Sequence, residues 1–312
     1  MIVALAGGVG GSKLVEGLAR VVSPPEDLVV IVNTADDQEF YGLSISPDLD
    51  TVMYTVAGIV NKSTGWGIED DTFYALSMLG RYGEETWFRL GDRDLATHIL
   101  RTRELRKGRS LTEVTADLAG RLGVRPRILP MSDDPVRTIV LTPEGELQFQ
   151  EYFVKRRASD PVVGVRFEGI DRARPTPQVL SALREAEAVV ICPSNPIVSI
   201  GPILSLPGFR ETLQETRAVK VAVSPLAAGR AFKGPTVEMM RGLGYEASAF
   251  GVASLYRDFL HVVIIDERDV ELVPRIEELG IRIVVRPVAM YTLEEKVALA
   301  KAVLEVASQG GG

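Results

Sequence analysis

The sequence predicts an α/β protein: a Rossmann-like parallel sheet with helices on both faces, plus a helical and β-hairpin insertion. Three observations lead there. Short, wholly apolar runs recur along the chain, as strands buried on both sheet faces require. Segments with apolar residues at helical spacing lie between them. The first run breaks at once into a glycine-rich turn that opens a helix. At 312 residues the chain forms one large or two ordinary domains. Its 46% hydrophobic and 25% charged residues exclude disorder as the main state. With 35 basic and 42 acidic residues the net charge is −7, and no Lys/Arg runs occur, which argues against non-specific nucleic-acid binding. The lone cysteine, Cys192, excludes a disulfide framework and a Cys-based zinc site. Met1–Ala6 lacks the basic start of a signal peptide. No stretch of eighteen apolar residues is present to span a membrane, and the expected location is cytoplasmic.

Taken in order, Ile2–Ala6 is the first strand, Leu14, Leu18, Val21 and Val22 mark the first helix, and Leu28–Val32 is the second strand. Asp48–Val60 reads as a helix, with Leu49, Val52, Met53, Val56, Ile59 and Val60 on one face. Asp92–Leu105 and Ser110–Leu122 are helical, the latter opened by a capping box of Ser110 and Glu113. Thr138–Thr142 and Leu147–Val154, joined by Pro143-Glu144-Gly145-Glu146, read as a hairpin. Strands at Ala188–Cys192, Val219–Val223, His261–Ile265 and Ile281–Val285 then alternate with helices. Those helices include Gln178–Glu187, Val237–Gly242 and Thr292–Ala307, the last with a capping box of Thr292 and Glu295. Gly310–Gly312 reads as a frayed tail. The core is thus drawn from residues 1–59 and 171–312, and residues 60–170 form the insertion.

Open parallel sheets bind ligands outside the carboxyl ends of their strands. Here those ends run into Gly7–Lys13, Asn33–Asp37, Pro193–Pro196, Ser224–Gly229 and Asp266. Any one of them could be a plain turn; several together mark a site. Gly7, Gly8, Gly10 and Gly11 expose backbone N–H groups at a helix start, which suits phosphate oxygens. The order Gly-Ser-Lys is not a Walker A loop. Nor is this a dinucleotide fingerprint, because Lys13 stands at the third glycine position and Asn33 offers no ribose carboxylate. Tight strand–helix packing would account for one glycine of the four. Asp36, Asp37, Glu39, Asp48 and Asp50 would repel a phosphate unless a hard cation such as Mg²⁺ joined them. Asp48 or Asp50 could instead simply cap the following helix, worth ~1 kcal/mol.

Gly91-Asp92-Arg93-Asp94 reads as a helix start with Asp92 as its cap. His98 is either a base or an ordinary helical residue, and His261 is structural. Ser194 lacks a Gly-x-Ser-x-Gly elbow, and Cys192 reads as buried and inert. Tyr54, Trp66, Phe73, Tyr74, Trp87 and Phe88 either form the insertion's core or stack on a planar ring held between core and insertion.

These motifs resemble the 2-phospho-L-lactate transferases that make the deazaflavin coenzyme F-420. The resemblance rests on Gly7–Leu14, Asn33–Asp37, Ile45-Ser46-Pro47-Asp48-Leu49-Asp50-Thr51-Val52-Met53-Tyr54 and Leu90-Gly91-Asp92-Arg93-Asp94-Leu95-Ala96-Thr97-His98. It continues through Pro130–Val136, Phe149–Phe153, Cys192–Pro196 and Lys233-Gly234-Pro235. The glycine turn is shared with a sibling family of sugar-nucleotide-binding regulators; the Ser-Pro-Asp-Leu-Asp-Thr and Gly-Asp-Arg-Asp-Leu-Ala-Thr-His runs are specific. Val9 stands where the family usually has Thr.

The resemblance implies a Mg²⁺-dependent transfer from a GDP-linked donor carrying a phospholactyl-type group (phospholactate, phosphoenolpyruvyl or phosphoglyceryl). The acceptor is the ribityl hydroxyl of 7,8-didemethyl-8-hydroxy-5-deazariboflavin, and GMP is released. It implies Asp50 and Asp48 as catalytic residues and metal ligands. Asp50, Arg89, Asp36 and Asp37 would face the deazaflavin, and Gly8, Gly10, Gly11, Ser194, Asn195 and Lys233 the donor. The guanine falls near Ser224–Gly234, and a homodimer is expected. The first alternative is a non-catalytic sugar-nucleotide-binding regulator, which would not need Arg89 or the Asp92–His98 run. A nicotinamide-dependent dehydrogenase is the poorer alternative.

Overall fold

The computed structural model describes residues 1–309, so the tail Gly310–Gly312 lies outside the described residues. The chain opens with β1 (Ile2–Ala6), α1 (Gly8–Val21) and β2 (Leu28–Val32). A small antiparallel ribbon, β3 (Gln38–Phe40) and β4 (Leu43–Ile45), leads into α2 (Pro47–Ala57). Helices α3 (Tyr74–Arg81), α4 (Asp92–Arg106) and α5 (Leu111–Arg121) follow, then β5 (Arg127–Pro130). A separate antiparallel sheet is built from β6 (Arg137–Thr142), β7 (Gly145–Gln148) and β8 (Gly164–Glu168). The second half runs α6 (Pro177–Glu185), β9 (Ala188–Ile191), α7 (Ile200–Ser205), α8 (Phe209–Glu215) and β10 (Val219–Val223). It continues with the ribbon β11 (Leu226–Ala227) and β12 (Arg230–Ala231), α9 (Thr236–Gly242), α10 (Ala249–Tyr256), β13 (Val262–Ile265), α11 (Val273–Glu277), β14 (Arg282–Val285) and α12 (Leu293–Gln309).

The central sheet has the order β14-β13-β10-β9-β1-β2-β5, and its pairs are parallel. The winding direction reverses between β1 and β9, which is where an open sheet leaves a crevice for a ligand. Ala6 pairs with Val32 and Leu5 with Ile191, so the chain leaves three adjacent strands side by side at Gly7, Asn33 and Cys192. Alternate strand residues feed two cores. Val3, Leu5, Val29 and Ile31 pack with Leu183, Phe209 and Met240 on one face. Ala4, Ala6, Val30 and Val32 pack with Leu14, Leu18, Leu49 and Val303 on the other.

Three local features depart from the sequence reading. Arg127–Pro130, within the 60–170 segment, supplies the sheet's seventh strand, and it was not legible because a four-residue edge strand holding only Ile128 and Leu129 has no pattern to read. The expected hairpin forms, with Thr142 opposite Gly145, but its second strand stops at Gln148 and Glu151–Lys155 turn as a π-helix. A third strand, β8, covers the other side of β6. Both capping boxes are present: Glu113 N–H donates to Ser110 Oγ, and Glu295 N–H to Thr292 Oγ, both at 3.2 Å. Among the described residues no helix is long and apolar enough to cross a membrane.

Helix α1 lies so close to α12 that a Cβ on Gly17 would sit 2.2 Å from the carbonyl oxygen of Lys296. Gly17→Ala is therefore expected to destabilise the fold by roughly 1–3 kcal/mol through overpacking. Gly120→Ala, on α5 with open space around it, is expected to stabilise by ~1 kcal/mol through helix propensity alone. Urea unfolding of the two variants reads both signs; a stabilising Gly17→Ala would refute the close approach.

Candidate active site

A cavity of about 410 Å³ opens at the crevice between β1 and β9. Its polar lining includes Gly7, Gly8, Gly10, Lys13, Asp36, Asp48, Asp50, Ser194, Asn195 and Lys233. Its aromatic lining includes Trp66, Phe88, Phe149, Phe153, Phe232 and Tyr291, the last with its ring centre 5.9 Å from Lys13 Nζ. The sheet edge thus brings together most of the candidates drawn from the sequence. Gly11, Asp37 and Arg89 are not part of its wall.

The glycines are explained differently from the expectation. The helix starts at Gly8, with Gly7 as its extended N-cap, so the glycine run is the first turn of α1. A Cβ on Gly7 would lie 2.6 Å from Ser199 Cβ, on Gly10 2.4 Å from the Pro193 carbonyl, and on Gly11 2.5 Å from Ser194 Oγ. Packing against the loop after β9 therefore demands three of the four glycines. Gly8 is the exception: its φ of +51° is left-handed, and its N–H is directed at Asp48. Ser194 Oγ ties the two strand ends together, accepting from Gly7 N–H at 3.1 Å and donating to Gly7 O at 2.8 Å.

Neither Asp48 nor Asp50 caps a helix. The N-cap of α2 is Ser46, Pro47 follows it, and both aspartates lie buried in the first turn. Asn33 Nδ2 donates to Asp36 Oδ2 and to Asp48 Oδ2, at 3.0 Å each, which holds two carboxylates side by side. Asp36 Oδ1 has no partner. Burial, then the neighbouring charge of Asp48, pushes Asp36 well above the usual carboxylate range, and burial pushes Asp48 up to about 6. This pair lacks a positive charge. Among the described residues no group of three His, Cys, Asp or Glu side chains is arranged to hold a metal. A hard ion that keeps water and phosphate ligands needs only one or two carboxylates, and the pair with its unpartnered oxygen fits that donor set.

Asp50 sits differently. Arg101, 1% exposed, donates from Nη1 to Asp50 Oδ2 at 3.0 Å and from Nη2 to Asp50 Oδ1. Burial acts to lower the Arg101 pKa, and Asp50 more than offsets it. His98 lies alongside, Nδ1 3.7 Å from Asp50 and Nε2 3.2 Å from Asp94, and Asp94 accepts from Tyr54 Oη at 2.7 Å. The sequence reading left His98 open and missed Arg101, which stands among Arg103 and Arg106 as one more helical cation. The signal was available in the spacing, since Asp94, His98 and Arg101 fall at i, i+4 and i+7.

Asp92, read as the cap of its own helix, instead caps α3. Its carboxylate accepts from Tyr74 N–H and Ala75 N–H at 2.9 Å, while Asp71 accepts from Arg93 N–H and Asp94 N–H and so caps α4. Arg89 is exposed, with its guanidinium 4.3 Å from the centre of the Phe73 ring, between the cavity residues Phe88 and Leu90. Lys233 donates to Thr64 O. Burial, then Lys296 and Lys233, pulls Lys13 below its usual range. Phe88 stacks on Phe40 at 4.4 Å, so this aromatic group is both mini-core and cavity wall. Cys192 is buried, which pushes its thiol far up.

The carboxylate of Asp37 accepts from Ser46 Oγ at 2.7 Å, and burial pushes it up to about 7. The folded protein thus binds this proton more tightly than the unfolded chain. Its contribution to stability is complete below about pH 4 and is lost as pH rises to about 7. Asp37→Asn, neutral throughout, is therefore expected to gain in Tm on the wild type as pH rises across that window. A difference in Tm independent of pH would show that Asp37 does not titrate there.

A sequence profile described as 2-phospho-L-lactate transferase CofD matches residues 2–285. A 2-phospho-L-lactate transferase of Methanosarcina mazei is 45% identical over 268 residues, 86% of this chain and 88% of that protein. One from Methanosarcina acetivorans is 43% identical, covering 97% and 98%. A phosphoenolpyruvate transferase of Streptomyces griseus is 41% identical, covering 99% and 98%. Among solved structures, a UPF0052 family protein from Bacillus halodurans shares the fold, with a TM-score of 0.66 and 17% identity over 97% of this chain and 98% of its own. With profile and relatives both running almost the length of the chain, the protein belongs to the 2-phospho-L-lactate transferase family and is a transferase.

Proposed function

We propose that the protein transfers a phospholactyl-type group from a GDP-linked donor to 7,8-didemethyl-8-hydroxy-5-deazariboflavin in coenzyme F-420 biosynthesis, with Mg²⁺ required. The terminal ribityl hydroxyl oxygen bonds to the distal phosphorus, the bond from that phosphorus to the bridging oxygen breaks, and GMP leaves. The observation that supports this most is the composition of one cavity. The start of α1, the carboxylates of Asp36, Asp48, Asp50 and Asp94, and seven aromatic side chains line it together. A diphosphate and a flat tricyclic alcohol need those two surfaces at one place. Transfer of this kind depends mostly on positioning and charge neutralisation, so no nucleophilic side chain is required.

Asp36 and Asp48 are the residues that would hold Mg²⁺, because their shared charge is unmet, whereas both oxygens of Asp50 engage Arg101. Bound there, the ion supplies positive charge to the diphosphate. Gly8, Gly10, Ser194, Asn195 and Lys233, all in the cavity wall, would contact the donor. Asp50 faces the acceptor hydroxyl, and it or Asp48 would take up the hydroxyl proton. The regulator reading is less favoured, since Asp94 and His98 from the Asp92–His98 run line the cavity. Relatives bearing both a lactate and a phosphoenolpyruvate name leave the donor's acid to experiment. Single-turnover assays with each GDP-linked acid and the deazaflavin test the whole proposal; no GMP release with any of them would refute it.

Asp48→Asn and Asp50→Asn are each expected to lower turnover at least ~100-fold, the usual worth of a positioned proton acceptor. Asn is chosen at position 50 because its amide oxygen still accepts a hydrogen bond from Arg101, whereas Ala leaves the guanidinium no partner; both remove the counter-charge, which costs roughly 3–5 kcal/mol. GMP release within a few-fold of wild type would remove that residue from the mechanism. Arg89→Ala is expected to weaken deazaflavin binding more than GDP binding by calorimetry, and equal losses would count against an acceptor contact.

A further inference from the structure

Arg101 does not line the cavity; it reaches it through Asp50 and His98, which do. A buried ion pair of this kind is a weak stabiliser, because desolvating both charges offsets most of their attraction. What the guanidinium provides is direction. Its planar fork engages both carboxylate oxygens and so fixes the plane of the group. It also sets the neighbouring ring. Nη1 lies 3.3 Å from His98 Nδ1, and a guanidinium can only donate, so Nδ1 accepts and the ring proton sits on Nε2, facing Asp94. Asp94 is steadied in turn by the Tyr54 hydroxyl.

We propose that Arg101 is a positioning residue for the transfer: it aims Asp50 at the acceptor's hydroxyl and locks His98 in the tautomer that leaves Asp50 undisturbed. This rests on the proposed function, since the hydroxyl is that of the deazaflavin acceptor. It assigns a role to the α4 motif that a helix start and its cap do not explain. Misplacing a reacting group by about 1 Å costs ~100-fold in rate, so the effect belongs in kcat rather than in donor binding.

The test is a double-mutant cycle on the full-length protein, with GDP-lactate and the deazaflavin as substrates. Arg101→Met is expected to lower kcat about 100-fold with GDP affinity unchanged, and Arg101→Lys, with charge but no fork, to recover only part of it. In an Asp50→Asn background, Arg101→Met is expected to change kcat less than about 3-fold, because its effect passes through Asp50. The double variant carries no unpaired charge at this ion pair, and Arg101→Lys keeps the charge while losing the fork, so Arg101→Lys with and without Asp50→Asn supplies the comparison where Arg101→Met alone fails to fold. Full additivity, or a near-normal kcat in a folded Arg101→Met, would overturn the proposal on its own. A wild type that does not turn over any GDP-linked acid would overturn the functional reading and the role of Arg101 with it.

Discussion

A carboxylate removed from water must meet positive charge or take up a proton, and the site is organised by how its aspartates meet that demand. Asp50 is answered inside the chain by Arg101. Asp36 and Asp48 are answered by hydrogen bonds that bring no charge, from the amide of Asn33 to both and from Gly8 N–H to Asp48. The cavity thus contains Asp50, met by a guanidinium, Asp94, beside Tyr54 and His98, and a pair that meets no positive charge. The incomplete pair lies next to the first turn of α1, where backbone dipoles favour an anion. An anionic ligand and a cation entering together would satisfy both surfaces, and either alone would satisfy one.

Holding this arrangement requires close backbone contact, and the glycines supply it. With side chains at Gly7, Gly10 and Gly11, α1 could not lie against Pro193, Ser194 and Ser199. The ends of β1 and β9 would then part, and the polar floor with them. The wall supplied by α4 is fixed by another device. Asp71 and Asp92 cap each other's helices, which locks α3 to α4 and sets the stripe of Asp94, His98 and Arg101 against α2. Thr102 extends this face, accepting from Ser44 N–H at 2.8 Å, so the ribbon carrying Phe40 is tied to the same helix.

The sequence made legible what repeats or concentrates. Six strands of the central sheet stood out as apolar runs, and the glycines and clustered aspartates marked its ligand edge. Less visible was whatever depended on a partner distant in the chain. Arg101 looks like a solvated helical charge until Asp50, fifty-one positions away, is set beside it. Asp92 looks like the cap of its own helix because the helix it does cap, Tyr74–Arg81, begins eighteen positions earlier in the chain. Glycine posed the opposite difficulty. Steric need and phosphate binding place the same residue type at a helix start, and only the opposing atoms at Pro193, Ser194 and Ser199 separate the two.

The Bacillus halodurans structure matches this fold at 17% identity, and what is shared at that distance is the sheet and its crevice. Such a crevice accommodates many ligands, and chemistry is set by the side chains brought to it. Here those side chains come from two sources. Gly8, Asp36 and Ser194 follow strands of the central sheet, and Asp48 lies in the first turn of α2. Asp94, His98 and Arg101 come from α4, within the 60–170 segment, and reach the sheet's aspartates only through Asp50. Asp50 is therefore the point at which the sheet's crevice and that segment meet. A protein of this fold without the α4 stripe would leave Asp50 without its guanidinium, and the same aspartate would then be one more unbalanced charge beside Asp36 and Asp48.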